Sequence, residues 1–228
     1  MRILLYCPLY PYKPFIHKQT LDSIFALDWQ GKIDYMLGKD INVPGGDSGY
    51  KDITEKYNHA RDIVLGCGYD ALFTVEADMI IPSHTLLRLT RIDTDVCYGL
   101  YCSRHGRKPW LAYAWMNEKN GESVDHGRQW CEEVWGQAAE TTGVGLGCTL
   151  IHRRVLEKIA FRQGGSNAND WYFSLDCRKQ GFRQMHDFGV ICGHIDRNNG
   201  KIGAIYPSLS AGEKMYEVKE LSDCQPQL

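Results

Sequence analysis

Short apolar runs alternate with segments of helical periodicity over the first hundred residues of the chain. The runs RILLYC, KIDYMLG and ALFTV have the composition of buried strands. Between them, HKQTLDSIFAL and ITEKYNHARDIV space their apolar residues three or four positions apart, as amphipathic helices do. A strand-helix-strand-helix-strand order predicts a mostly parallel sheet covered by helices on both faces, in which ligands bind at the carboxyl ends of the strands.

The second half of the chain repeats the strand pattern less regularly. The segment from Lys108 to Glu140 is rich in Trp and charge without a clear period, which indicates an excursion over one face of the sheet. The segment from Asp196 to Gly212 is polar and glycine-rich, and we interpret it as a loop that orders over a bound ligand. No repeat or linker divides the 228 residues, so we expect one α/β domain. The later predicted strands are DVCYGLY, GVGLGCTLI and FRQMHDFGVIC, and the later predicted helix is DWYFSLDCRKQ.

Composition and charge argue against a purely electrostatic binder of nucleic acid or membranes but leave most other functions open. The chain is 43 % apolar and 24 % charged with a net charge of -2, which gives no electrostatic footprint for nucleic acid or an anionic membrane. Early prolines interrupt the first apolar run, and no later run is long enough to span a bilayer, so we expect a soluble cytoplasmic protein. The nine cysteines form no C-x-x-C pair and are expected to be reduced core residues, a functional thiol being the alternative.

The first candidate site lies directly after the strand ALFTV, where Glu76 and Asp78 are separated only by Ala77. Burying unpaired carboxylates costs free energy, so charge at the end of a buried strand indicates a partner there. Two carboxylates spaced i and i+2 on a rigid turn both reach one hard cation. A solvated acidic turn is the alternative interpretation.

Two further segments carry candidate chemistry. His194 follows an apolar strand and a glycine, so we expect it at a sheet edge, either as a hydrogen-bonded structural residue or as a ligand that joins Asp78 in a site suited to manganese. Asp170 lies near a predicted helix start, where it serves as a cap or as a general base. Trp171 is either a core residue or a platform for the flat face of a sugar or another ring.

An ordered series of segments between about Arg2 and Ile195 resembles the glycosyltransferases of the GT-A fold, in particular the family 2-like members, which include small phage-type proteins. The series comprises a first strand ending in Pro8, a second ending near Asp40, NHARDIVL, EADMIIP in place of the usual D-x-D, DVCYGLYCSR, TGVGLGCTLIHRRVLEKI, NDWYFSLDCRKQG and GHI. The resemblance implies a Rossmann-like nucleotide-diphospho-sugar transferase fold. It implies a nucleotide-sugar-binding half over 1–105, an acceptor and catalytic half over 106–195, and a flexible loop and tail over 196–228.

The resemblance also implies a metal-dependent transfer of a hexosyl or pentosyl group from a nucleoside-diphosphate sugar to an acceptor hydroxyl. Mn²⁺ or Mg²⁺ would link Asp78 to the diphosphate of a UDP- or GDP-sugar, with His194 as a further ligand. Asp170 would deprotonate the acceptor in an inverting arrangement, although retention stays open. The implied nucleotide contacts are Pro8, Asp40, Arg61, Glu76 and Ala77, and the implied sugar or acceptor contacts are Tyr101 and Arg104.

Two residues depart from the family pattern, and two more have uncertain roles. Glu76 replaces the first Asp of D-x-D, so its longer side chain binds the metal, the ribose or a metal-bound water. Asn169 replaces the first acid of the family's E-D pair, so the base function rests on Asp170 alone. No helix follows the segment around Gly145 closely enough for a phosphate loop, so we interpret its backbone as passing beneath the sugar, or as plain sheet packing. Lys201 is a candidate phosphate contact or a solvated lysine.

Three alternatives stay open at this stage. A non-catalytic nucleotide- or sugar-binding module would keep Asp78 and the aromatic residues but would not need Asp170. A sugar-nucleotide nucleotidyltransferase would need a basic, glycine-rich loop after the first strand, where this chain has CPLYPYKPF. The acceptor is a glycan, a protein, a small molecule or, as a minority option, a modified DNA base, for which Arg104, Arg107 and Lys108 would supply a local basic groove.

Overall fold

The computed structural model describes residues 1–9, 15–38, 49–102, 135–141, 143, 145–164, 169–196, 200–207 and 216–220, without the side chains of 49–51, 205–207 and 216–220. The predicted contacts Asp40 and Arg104 lie outside these residues, as does most of the excursion between Lys108 and Glu140. The strands are β1 (Arg2–Cys7), β2 (Lys32–Leu37), β3 (Ala71–Val75), β4 (Met79–Ile80), β5 (Val96–Leu100), β6 (Ala138–Glu140), β7 (Cys148–His152), β8 (Gln184–Ile191), β9 (Gly193–Ile195), β10 (Ile202–Pro207) and β11 (Tyr216–Glu220). The helices are α1 (Lys18–Phe25), α2 (Gly49–Gly66), α3 (Thr85–Leu89), α4 (Arg153–Leu156) and α5 (Asn169–Lys179).

Within the described residues, the central sheet has seven strands in the order β2-β1-β3-β7-β5-β8-β6. Strand β1 pairs in parallel with β2 and β3, and β5 pairs in parallel with β8. Strand β7 runs antiparallel between β3 and β5, and β6 runs antiparallel to β8. Five strands therefore share one direction and two oppose it, which confirms the prediction of a mostly parallel sheet.

Successive residues of the buried strands point to opposite faces of the sheet and pack in two apolar cores, one on each face. In β1, Leu4 and Tyr6 pack with residues of α2, α4 and α5, while Ile3, Leu5 and Cys7 pack with residues of α1 and α3. This alternation follows from the two-residue period of a strand. It confirms the prediction of helices on both faces. No described helix is both long and apolar enough to cross a membrane.

A second, antiparallel sheet of the order β11-β10-β9-β4 stands at the carboxyl end of β3. Strand β4 pairs with β9, which places Met79 opposite His194, and the Ile195 N–H donates to the Asp78 carbonyl oxygen over 2.9 Å. These contacts bring the end of β9 against the acidic turn, although the two segments are more than a hundred residues apart in the chain.

The interpretation of Asp196 to Gly212 as a loop was wrong for its middle part, and the tail contains a strand as well. Strand β10 pairs antiparallel with β9 and with β11. Before β10, Gly200 has a φ of 72° and its N–H donates to the Asp196 carbonyl oxygen. Apolar residues such as the buried Ala204 then continue the sheet, because β9 offers an open edge for pairing.

Candidate functional site

The acidic turn after β3 is held in place by backbone contacts on both sides. The Glu76 N–H donates to the Gly147 carbonyl oxygen over 3.0 Å, and the Thr20 hydroxyl donates to the Ala77 carbonyl oxygen over 3.1 Å. Ala77 and Asp78 are fully buried, while Glu76 is half-buried. The two carboxylates therefore leave the sheet from a rigid backbone and not from a solvated turn.

His194 presents one ring nitrogen to these carboxylates. Its Nδ1 lies 2.7 Å from the Cys102 carbonyl oxygen, which only accepts, so Nδ1 carries a proton and donates it. Its Nε2 lies 3.3 Å from Asp78 Oδ2. A hydrogen bond from the second ring nitrogen to a carbonyl is the arrangement that orients metal-binding histidines.

The three side chains fit a divalent cation. One ligand atom each from Glu76, Asp78 and His194 lies within 4.8 Å of the other two. Adjacent ligands that are each about 2.2 Å from one ion stand about 3 Å apart, close to the separation of Nε2 and Oδ2. A neutral imidazole nitrogen and a carboxylate oxygen repel each other at that distance unless a cation or a proton lies between them. Two carboxylates with one imidazole suit manganese or a similar ion.

Asp170 is a partly exposed carboxylate in the first turn of α5. The Trp171 N–H donates to its Oδ1 over 2.7 Å, which leaves Oδ2 for another partner. Desolvation raises the pKa of Asp170 to about 6, and the nearby charge of Glu76 adds to the increase. A carboxylate with a pKa near neutrality is suited to general base catalysis.

Tyr101 lies close to both the metal-ligand cluster and Asp170. Its ring centroid lies 6.0 Å from that of His194, and its hydroxyl accepts a hydrogen bond from the Gly147 N–H over 3.0 Å. A Cβ at Gly145 would lie 2.5 Å from the Tyr101 hydroxyl and 3.3 Å from Asp170 Oδ2. Burial and the charge of Glu76 raise the pKa of Tyr101 well above its ordinary value, so the hydroxyl keeps its proton.

This geometry explains two of the three glycines of TGVGLG. Gly145 and Gly147 give space to the Tyr101 ring and hydroxyl, since a Cβ at Gly147 would lie 2.8 Å from the ring. The structure shows close packing at this segment, and the passage of its backbone beneath a sugar stays a prediction. The predicted sugar or acceptor contacts at Tyr101 and Gly145 are therefore adjacent to the predicted base.

Arg61 makes structural contacts. Its Nε donates to the carbonyl oxygens of Leu156 and Ile159 over 2.7 and 3.0 Å, and its Nη1 lies 3.1 Å from the Asp62 carboxylate. These bonds tie α2 to the end of α4. The nucleotide-binding role of Arg61 stays a prediction, and the contacts that the structure shows do not require it.

The structure describes the surroundings of three more predicted residues. Pro8 is buried just after β1, and Trp171 is half-buried next to Asp170. Lys201 is exposed in the turn between β9 and β10, where its carbonyl oxygen accepts from the Asp196 N–H. Their roles toward nucleotide, sugar and phosphate stay predictions.

One buried ion pair near the end of β1 was not expected from the sequence. Lys56 is only 2 % exposed, and its Nζ lies 2.7 Å from Asp52 Oδ2 and donates to the Leu9 carbonyl oxygen over 3.0 Å. The i, i+4 spacing of Asp52 and Lys56 on one helix face signals a pair. The spacing does not signal burial, because a paired lysine is usually a surface residue.

Turnover is expected to depend on the ionisation of Asp170. A base works only when deprotonated, so kcat/KM should fall about tenfold per pH unit below the pKa of about 6. The measurement is a pH–rate profile between pH 4.5 and 8.5 with Mn²⁺ binding followed at each pH, since loss of a bound metal would also lower turnover. An acid limb that simply tracks Mn²⁺ occupancy would contradict the assignment.

Gly145→Ala is expected to lower turnover about ten- to a hundredfold while the protein stays folded. The new Cβ would displace the Tyr101 hydroxyl and crowd Asp170 Oδ2, and small displacements at a reacting centre cost rate of this order. Gly66→Ala is the matched control, because a Cβ there meets nothing within 4 Å. Equal kinetics of the two variants would show that the space at Gly145 does not matter for turnover.

Comparison with known proteins supports the fold. No protein-family model matches the sequence, and a search of curated proteins found no match. The crystal structure of A197 from STIV is similar with a TM-score of 0.55 and 17 % identity, over 96 % of this chain and 95 % of that one. The mannosyltransferase PcManGT from Pyrobaculum calidifontis, solved with GDP-Man and Mn²⁺, is similar with a TM-score of 0.54 and 16 % identity, over 87 % of this chain and 58 % of that one. At these identities the likeness shows the fold alone, and the predicted α/β fold of the GT-A type is confirmed.

Proposed function

We propose that the protein is a metal-dependent glycosyltransferase, a hexosyl- or pentosyltransferase, that moves a sugar from a UDP- or GDP-sugar to an acceptor hydroxyl with inversion. One observation carries the proposal. On a GT-A-like fold, Tyr101 lies close both to a cluster of two carboxylates and an imidazole and to a carboxylate with a pKa near neutrality. A metal ligand set and a general base at one sheet edge are the two parts that this reaction needs.

Asp78, His194 and Glu76 would hold Mn²⁺ or Mg²⁺, which when bound supplies positive charge for the diphosphate leaving group. Asp170 Oδ2 takes the proton of the acceptor hydroxyl while the Trp171 N–H holds Oδ1. The acceptor oxygen forms a bond to the anomeric carbon as the bond from that carbon to the phosphate oxygen breaks. The electron pair of the broken bond leaves with the nucleoside diphosphate.

The Tyr101 hydroxyl orients the sugar between these groups. It already accepts a hydrogen bond from the Gly147 N–H, and its own proton is free of that bond for donation to a sugar oxygen. Pro8 and Ala77 would line the nucleotide, and Lys201 would contact a phosphate oxygen.

A donor panel tests the proposal. The protein is incubated with UDP-glucose, UDP-GlcNAc, GDP-mannose and a pentosyl donor, with Mn²⁺, Mg²⁺ or EDTA, and release of the nucleoside diphosphate is measured. GDP-mannose has a place in the panel because the structurally similar mannosyltransferase was solved with it and Mn²⁺. We expect metal-dependent release from one donor. Release that persists in EDTA would contradict the metal role, and no release from any donor would favour a binding module.

A further inference from the structure

Lys56 is a buried cation that the proposed reaction does not use. It lies on α2, only 2 % of its side chain is exposed, and its Nζ stands 2.7 Å from Asp52 Oδ2. The same Nζ donates to the Leu9 carbonyl oxygen over 3.0 Å. The cost of taking both charges out of water offsets most of their attraction, so a buried ion pair is weak evidence for stabilisation. What the pair adds to the fold is a fixed bond from α2 to the main chain at Leu9.

Leu9 follows β1 at the point of the sheet where the direction of the connections reverses. Strand β1 lies between β2 and β3 and pairs in parallel with both. The chain leaves β1 towards β2, and it leaves β3 towards the strands on the opposite side of the sheet. The carboxyl ends of β1 and β3 therefore border a crevice, and in α/β sheets of this kind the ligand binds in that crevice.

The two walls of this crevice are held by different contacts. On the β3 side, Glu76 and Asp78 belong to the candidate metal cluster. On the β1 side, Lys56 holds the carbonyl oxygen of Leu9, the residue that follows Pro8. If this peptide rotated, the carbonyl oxygen and the buried ammonium would lose their bond without gaining one to water. The direction in which the chain leaves β1 is therefore set from α2.

We propose that Lys56 is a positioning residue for the donor, which fixes the main chain after β1 as one wall of the nucleotide crevice. The inference rests on the proposed function. Because the Lys56 side chain is buried, it acts through the main chain that it holds and not by contact with the donor. Its loss should weaken nucleotide binding, which uses this wall. Metal binding and the transfer step should stay intact, because their groups stand on β9, on α5 and at the end of β3.

The test removes the buried ion pair at nearly constant volume. The double variant Asp52→Asn/Lys56→Met takes away both charges, so no unpaired carboxylate stays buried. The matched control is Asp22→Asn/Lys18→Met on α1, where the same two residue types form an ion pair at the same i, i+4 separation on the surface. The control therefore makes the same chemical changes where nothing is buried.

Four quantities are measured on wild type and on both double variants. They are the Kd of UDP and of GDP at saturating Mn²⁺ by calorimetry, the Kd of Mn²⁺ without nucleotide by electron paramagnetic resonance, and kcat and KM for the donor. A binding surface that is no longer held in its bound conformation loses affinity, so the buried double variant should raise the nucleotide Kd and the donor KM about tenfold or more. Its Mn²⁺ Kd should stay within twofold and its kcat within threefold. The control should match wild type in every quantity.

The single variant Asp52→Asn separates positioning from stability. It keeps the Lys56 amine, which still donates to the Leu9 carbonyl oxygen. The melting temperature should fall, because the buried ammonium loses its counter-ion, while the nucleotide Kd should stay within threefold of wild type. This measurement remains informative if the double variant does not fold.

Four results would overturn the inference. They are a nucleotide Kd of the buried double variant within threefold of wild type, a parallel rise of its Mn²⁺ Kd, a fall in kcat at unchanged donor KM, or a nucleotide Kd of Asp52→Asn that rises about tenfold. Each of them would leave the donor site of the wild type standing. No Mn²⁺-dependent nucleotide binding by the wild type would instead contradict the proposed function itself.

Discussion

Asp170→Asn is expected to lower kcat by a factor of about 10² to 10⁴ while the affinity for the donor and for the metal is retained. A general base contributes a factor of this order, and an amide cannot accept the proton. The variant should also be at least as stable as wild type above pH 6. Because the fold raises the pKa of Asp170 to about 6, ionisation in the folded state costs stability as pH rises, and the neutral amide avoids that cost.

The measurement combines kcat, donor affinity and thermal unfolding at pH 8. Asp176→Asn is the matched control, because it makes the same change on the same helix, where the carboxylate is paired with Arg162 at the surface. Turnover of Asp170→Asn within a few fold of wild type would remove Asp170 from the chemistry. A large loss of both stability and donor affinity would assign it a structural role instead.

Asp78→Asn is expected to weaken Mn²⁺ binding by at least a hundredfold and to abolish measurable transfer. Asp78 is fully buried next to His194. Among the described residues, Glu76 is the only other carboxylate in the cluster that could take its place as a ligand. Changing an outer partner of a metal ligand already costs ten- to a hundredfold, and loss of a charged ligand costs more. Mn²⁺ titration by electron paramagnetic resonance and the donor assay measure the two effects.

The control for Asp78→Asn is Asp22→Asn, an exposed acid on α1 that pairs with Lys18. It should bind Mn²⁺ as the wild type does. Unfolding with and without Mn²⁺ adds a second readout, since the metal should stabilise the wild type and the control but not Asp78→Asn. Equal Mn²⁺ affinity of Asp78→Asn and wild type would show that the cluster is not the metal site.

The sequence was most informative where one physical pattern determined the outcome. The apolar run of β3 and the helical period of α2 predicted the order of elements, and the acidic turn after β3 predicted that Glu76 and Asp78 would stand at a strand end. His194 was predicted at a sheet edge from the strand and glycine before it. That it lies beside Asp78 follows from the pairing of β4 with β9, which no local pattern in either segment reveals.

The errors and omissions have a common cause in long-range pairing. Strand β10 was interpreted as loop, because its glycine and its short apolar run acquire strand geometry only when β9 and β11 lie on its two sides. The sequence did not predict that Lys56 is buried, with its Nζ in contact with the Asp52 carboxylate and the Leu9 carbonyl oxygen. The sequence did not show why a glycine is needed at position 145. The side chain that a Cβ at Gly145 would meet is that of Tyr101, which lies forty-four positions earlier in the chain.

Thermal unfolding with a panel of nucleoside diphosphates, with and without Mn²⁺, tests the donor site most directly, on wild type and on Asp78→Ala. A ligand at a hundred times its Kd should stabilise the folded state by about 2.7 kcal/mol. The account predicts that UDP or GDP raises the melting temperature of the wild type only when Mn²⁺ is present, and that Asp78→Ala removes the effect. A shift that is independent of Mn²⁺ and survives in Asp78→Ala, or no shift with any nucleotide, would contradict it.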